Sequence, residues 1–155
     1  RYNTRGHILF KEVFKMKKIL TELHLMMERE DLQFVASEII KYYGMSSRVK
    51  MKRGRYKDEK GFYHWHDNTI HIDPTIRSVK EFVITVLHEI KHAMQTRDMG
   101  GPDKMEIYAS NEWFKASNGE YGSRAKRNPY KYVPYEVEAE KWAQKEYRRF
   151  WKNKV

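Results

Sequence analysis

The chain has 155 residues, no cysteine, and a formal net charge of +10 from 31 basic and 21 acidic residues. That length suits one domain with a sizeable core. The lack of cysteine excludes disulfides and thiolate ligands, so any metal must be held by histidines and carboxylates. No apolar run reaches the length of a membrane span, and the N-terminal stretch lacks the uninterrupted apolar core of a signal peptide. The expectation is therefore no membrane and a cytoplasmic location, the host cytoplasm if the chain is phage-encoded. Arg1 is not a Met, which leaves open both an upstream segment and an internal start at Met16. Surplus positive charge favours a nucleic acid or another acidic partner, or else simply keeps the surface solvated.

Residues 1–15 read as extended or partly disordered. Within residues 8–27, Phe10, Val13, Phe14, Ile19, Leu20, Leu23, Met26 and Met27 fit a helical period. A helix over residues 28–43 follows, with Leu32, Val35, Ala36, Ile39 and Ile40 inward and Gly44 beyond its end. Residues 48–56 alternate basic with other side chains and read as a strand, followed by a turn at residues 58–61. Residues 62–66 and 69–73 then read as a hairpin across Asp67-Asn68, with Ile70 and Ile72 toward the core and Thr69, His71 and Asp73 on the other face. His64 and His66 share a face, but no third ligand accompanies them at helical spacing, so a structural role is the stronger reading. The second strand of this hairpin leads into the next helix and could pair with an extended peptide.

That helix, over residues 78–95, carries the chemistry. Ser78 and Glu81 form a capping box. Val79, Phe82, Val83, Val86, Leu87, Ile90, Ala93 and Met94 recur at three- and four-residue spacing, so the helix should be well buried. His88-Glu89-Ile90-Lys91-His92 is an H-E-x-x-H stretch. Residues four apart share a helix face, so His88 and His92 can hold one metal ion, with Glu89 placed as general base toward water at the metal. Imidazoles on a buried helix need partners, which a metal supplies; two satisfied structural histidines are the alternative.

Residues 97–102 read as a Gly/Pro break, and Asp103 with Glu106 as a second capping box opening a short helix through Phe114. Residues 116–134 are rich in Gly, Tyr and basic side chains and read as a long loop. Pro134 then starts a last helix. A catalytic zinc needs three protein ligands, and this helix offers the third. Glu136 and Glu140 share a face with Ala139, Ala143 and Tyr147, small residues that let another helix approach. Acids on a packing face fit a ligand, Glu136, plus a carboxylate that orients a histidine, Glu140. Glu138 falls on another face and ranks below Glu136.

HEIKH followed by PYEVEAEKWA resembles the zincin-like metallopeptidases whose second motif has the form E-x-E-A-x-x-x-A, and is similar to the ImmA/IrrE-like and minimal phage-encoded zincins. The resemblance covers residues of about 68–147 and departs from the ImmA/IrrE-like pattern at Lys91 and Glu140. It implies Zn²⁺ held by His88, His92 and Glu136, with Glu89 as base and Glu140 supporting a zinc histidine. The expected fold is a single α+β zincin-like domain: N-terminal helices, a small twisted three-stranded sheet, the H-E-x-x-H helix, and a C-terminal helix carrying the third ligand.

The expected function is a zinc metallopeptidase acting on a protein or peptide. Tyr121, Tyr130, Tyr132 and Tyr135 are open candidates for the donor that stabilises the oxyanion. The rival readings are a nucleic-acid-associated zincin of SprT-like type and a non-catalytic binding or virion component. The first rival draws on two basic clusters, Arg48, Lys50, Lys52, Arg53 and Arg55, and Arg124, Lys126, Arg127 and Lys131.

Overall fold

The computed structural model describes residues 29–54, 59–76 and 78–152; the helical period of residues 8–27, and Arg55, lie outside the described residues. The architecture is α+β. Among the described residues there are six α-helices and a three-stranded mixed sheet.

Helix α1, Arg29–Tyr42, turns Leu32, Val35, Ala36, Ile39 and Ile40 fully inward, the stripe that its 3.6-residue period dictates. Strands β1 (Arg48–Met51), β2 (Gly61–His64) and β3 (Thr69–Ile72) lie in the order β1-β3-β2, with β1 parallel and β2 antiparallel to β3. The strand expected over residues 48–56 stops at Met51. Its partner runs out: the Lys52 N–H still donates to the Ile72 carbonyl at 2.8 Å, and Pro74 then turns the partner chain away.

Two expectations for the hairpin change. Strand β3 is central, so all four of its residues are buried and both its edges are occupied. Thr69 and His71, on the face opposite Ile70 and Ile72, are therefore covered as well, and His71 stacks on Phe62 with ring centroids 4.2 Å apart. A peptide cannot add to β3; the edge beside the H-E-x-x-H helix is β2.

Helix α2, Val79–Met99, opens as the capping signal indicates, with the Glu81 N–H donating to Ser78 Oγ at 3.2 Å. It runs past the break expected at residue 97. Gly100, at φ +103, ends it, with its N–H on the Arg97 carbonyl and the Gly101 N–H on that of Thr96. Helix α3, Pro102–Ser117, starts without the expected capping box and outlasts Phe114. Pro102 takes the first position, where a missing N–H costs nothing, and the Glu106 carboxylate is instead 3.0 Å from His66 Nε2.

The expected loop over residues 116–134 folds into two short helices, α4 (Gly122–Arg127) and α5 (Pro129–Tyr132). Asn128 caps the second through the Lys131 N–H, and Ala125 and Val133 are buried beneath them. Helix α6, Pro134–Glu146, widens into a π turn over Tyr147–Trp151.

Two apolar clusters result. The larger joins α1, the sheet, α2 and the C-terminal end around Phe82, Ile39, Ile70 and Leu87. The smaller holds α3, α4 and α5 together around Met105, Ala109, Ala125 and Val133. The H-E-x-x-H stretch lies on the helix that borders both.

Asn68 ties the sheet together. It sits at φ +52 in the β2–β3 turn, its Oδ1 accepts from both Ser47 and Tyr63 at 2.7 Å, and its carbonyl accepts from the Arg48 N–H. Asn68→Ala loses two hydrogen bonds and strains a left-handed residue, so it should destabilise by about 2–4 kcal/mol. Asn68→Gly, free of the strain, should lose roughly 1 kcal/mol less. Chemical denaturation of both variants checks the difference.

Candidate metal centre

The site depends on how α6 meets α2. Ala139 and Ala143 are fully buried, and these small side chains let the two helices approach closely. Val133 and Pro134 start α6 so that Glu136 falls in its first turn, where the positive end of the helix dipole favours a carboxylate. Its Oε1 stands 3.0 Å from His88 Nε2 and 3.1 Å from His92 Nε2.

Each histidine is oriented from behind. His88 Nδ1 faces Glu140 Oε1 at 2.9 Å, and Glu140 in turn accepts from Gln144 at 2.8 Å. His92 Nδ1 faces Gln95 Oε1 at 2.7 Å; the Gln95 amide is fixed by donating to the Tyr135 carbonyl and to Glu138. Both Nδ1 atoms meet acceptors, so each neutral ring carries its proton there and turns an Nε2 lone pair inward. The two Nε2 atoms and a carboxylate oxygen lie within 4.8 Å of one another.

This donor set fits a divalent cation. The edge of a tetrahedron with bonds of ~2.1 Å is ~3.4 Å; the Glu136 to histidine separations of 3.0 and 3.1 Å fall a few tenths short of it, and the set as a whole spans no more than 4.8 Å, so the rings would close in on a bound ion. Two nitrogens and one carboxylate are also the ligand types and the number that leave one coordination position for a small molecule.

Electrostatics follow the geometry. Burial works against a charged ring at His88, but hydrogen bonds to Glu136 and Glu140 prevail and raise it to about 10. His92 is raised likewise, burial being outweighed by Glu136. Burial would raise Glu136, yet the two histidines hold it down at about 2. Glu89, 4% exposed, is different: burial pushes its carboxyl up to about 7, against the pull of His88 and His92. It faces strand β2 at Gly61, where a Cβ would meet Thr85 at 2.8 Å and the Glu89 side chain at 3.4 Å. Only glycine lets the edge strand lie this close to the helix.

Two cavities, of about 520 and 890 Å³, meet at Glu89, Tyr130 and Glu136. Of the four candidate tyrosines, Tyr130 alone borders both; burial and a hydrogen bond to Glu59 raise its phenol, so it keeps its proton. Tyr121 is turned away, its hydroxyl on the buried Glu112 at 2.9 Å. Tyr132 lines the larger cavity, and Tyr135 lines the smaller one with its hydroxyl bonded to Trp113.

The basic residues divide. Arg48, Lys50, Lys52 and Arg53 are exposed on β1 and just beyond it, at the edge of the sheet opposite β2. Arg124 and Lys131 line the larger cavity, while Lys126 and Arg127 are exposed on α4. His64 and His66 pair with Asp67 and Glu106 and join no candidate metal cluster among the described residues. Gln95 and Glu138 were not singled out as site residues from sequence, although Gln95 lies three positions past His92 on the same stripe. No described helix is long and apolar enough to cross a membrane.

Without the cation His88 stays protonated up to about 10. A cation needs its Nε2 lone pair, so uptake near neutral pH should release at least one proton and tighten as pH rises. Calorimetry in buffers of different ionisation enthalpy measures this. Glu140→Ala and Gln95→Ala should each weaken the uptake of a divalent cation about 10–100-fold, read by competition with a chelator. Set against family models, curated proteins and solved structures, the chain matches none of them, so its own geometry carries the reading of this centre.

Proposed function

We propose that the chain is a zinc-dependent metallopeptidase of zincin-like design. The observation that carries this reading is the convergence of His88 Nε2, His92 Nε2 and Glu136 Oε1 at the meeting point of two cavities, with the Glu89 carboxyl beside them. When bound, Zn²⁺ would polarise a scissile carbonyl and lower the pKa of water toward ~7.

The remaining work falls to side chains of this chain. Glu89, brought near neutrality by its burial, takes a proton from the attacking water as the new C–O bond forms. It returns that proton to the amine as the C–N bond breaks. The Tyr130 phenol, which keeps its proton and donates it to Glu59 in the resting site, borders both cavities and is the best placed of the tyrosines to turn from Glu59 and donate to the developing oxyanion. Among the described residues β2 is paired on one side only, and Lys60, Gly61, Phe62 and Tyr63 pass along both cavities. An extended peptide laid against this edge would cross the site with its central bond at Glu89.

Metal analysis of the purified protein, followed by hydrolysis of an unfolded protein substrate, tests the reading. One bound zinc and chelator-sensitive cleavage are expected; a protein that takes up no metal would return the chain to the non-catalytic alternative. Glu89→Gln should keep the zinc and lose at least ~10²–10⁴-fold in kcat. Normal turnover in that variant would remove Glu89 as the base. Tyr130→Phe should lower kcat by roughly 10²–10³-fold with little change in KM.

A further inference from the structure

The two cavities that meet at Glu89 differ in chemistry. The smaller, about 520 Å³, is walled by Phe62 and Trp65 from the sheet side and by Trp113 and Tyr135 from α3 and α6. Trp113 is 40% exposed although its indole N–H is already bonded to the Tyr135 hydroxyl, so it presents an aromatic surface without an unmet donor. Such a surface takes a flat apolar group.

The larger cavity, about 890 Å³, is rimmed by Lys60, Lys80, Arg124, Lys131 and Lys141. None of these five makes an ion pair with a carboxylate among the described residues. Its acids are Glu59, Glu81, Glu89, Glu136 and Glu140, of which Glu136 and Glu140 face the histidines and Glu59 holds Tyr130. The five cations stand around a concave wall without a direct ion-pair partner among the described residues, and such cations attract an anion in a field that low-dielectric walls strengthen.

We infer that the cleft selects extended peptides carrying a large aromatic residue on one side of the central bond and an acidic residue on the other. This rests on the metallopeptidase reading for the bond that is cut, but not for the selection itself. Strand β2 supplies the geometry. It passes from Lys60 at the charged cavity to Phe62 and Tyr63 at the aromatic one, and successive residues of a paired peptide would meet the two walls in turn.

The test uses zinc-loaded Glu89→Gln protein and four ten-residue peptides, titrated by calorimetry and by tryptophan fluorescence. The peptides carry a central Phe and Asp, Phe alone, Asp alone, or neither. The doubly marked peptide should bind roughly 10–100-fold more tightly than the unmarked one. Trp113→Ala should erase the Phe contribution. Arg124→Glu with Lys131→Glu should erase the Asp contribution, which should also shrink as salt is raised. Retained zinc in these variants reports that they fold.

Equal affinity for all four peptides would overturn the inference, as would a single-stranded oligonucleotide that displaces each of them. Digestion of a random peptide mixture by the unmodified protein separates the two ideas. Cuts between aromatic and acidic residues support both. Cuts without bias overturn the selection and leave the peptidase standing, whereas selective binding with no cleavage of any peptide overturns the peptidase and leaves the selection.

Discussion

The close packing of α6 on α2 is the constraint on which the candidate site depends. Glu136 lies on a different helix from the two histidines, and nothing local to either segment brings them together. Two fully buried alanines do so, by removing the side-chain bulk that would hold the helix axes apart. The contact also places charged and polar groups, Glu89, His92, Gln95 and Thr96, on buried faces of one helix. Burying such groups is unfavourable unless each finds a partner. Here the Thr96 hydroxyl donates to the His92 carbonyl at 2.9 Å, Gln95 bridges His92 to Tyr135 and Glu138, and Glu136 serves both rings. His92, Gln95, Thr96 and Glu136 therefore form a connected network whose members hold one another in place, with Glu89 buried beside it.

A second tie closes the domain from the other end. The Tyr43 hydroxyl, just past α1, donates to the buried Glu146 carboxylate at 2.9 Å and accepts from the Trp151 indole at 3.1 Å. This joins the end of α1 to the end of α6, across the sequence. Because α1 also packs on the sheet and α2, the C-terminal helix is held at both ends: by the His88–His92–Glu136 cluster at its first turn and by this aromatic knot at its last. Glu136 is thus presented from a rigid element, as a ligand must be if it is to meet two histidines at fixed spacing.

Local signals carried far along this chain, and non-local ones did not. The stripe of α1, the Ser78 cap and the shared face of His88 and His92 depend only on residues within two turns, and they are where periodicity and capping chemistry put them. Glu136 and Glu140 were legible for a related reason: acids on an alanine-bearing face are costly unless they have a task. Parallel pairing of β1 with β3 depends on residues about twenty positions apart, and no local pattern encodes which strand is central. The expectation that β3 was the open edge failed there. Helices α4 and α5 have only six and four residues, too short to be stable alone, and they exist because Ala125 and Val133 are buried against α3. Their Gly, Asn and Pro signals look like a loop because they are mostly caps and turns.

The positive charge of the chain gains a more specific meaning from the same topology. Arg48, Lys50 and Lys52 lie on the β1 edge, while Arg124 and Lys131 lie in the cleft beside β2, with β3 between the two edges. Among the described residues these two groups lie on opposite edges of the sheet and not along one continuous track. The cleft cations share their cavity with Glu89 and Glu136 instead. Charge in that position adds to the field across the cleft, where Arg124 and Lys131 stand with the buried Glu89 carboxyl and with Glu136, rather than acting only on the solvated surface.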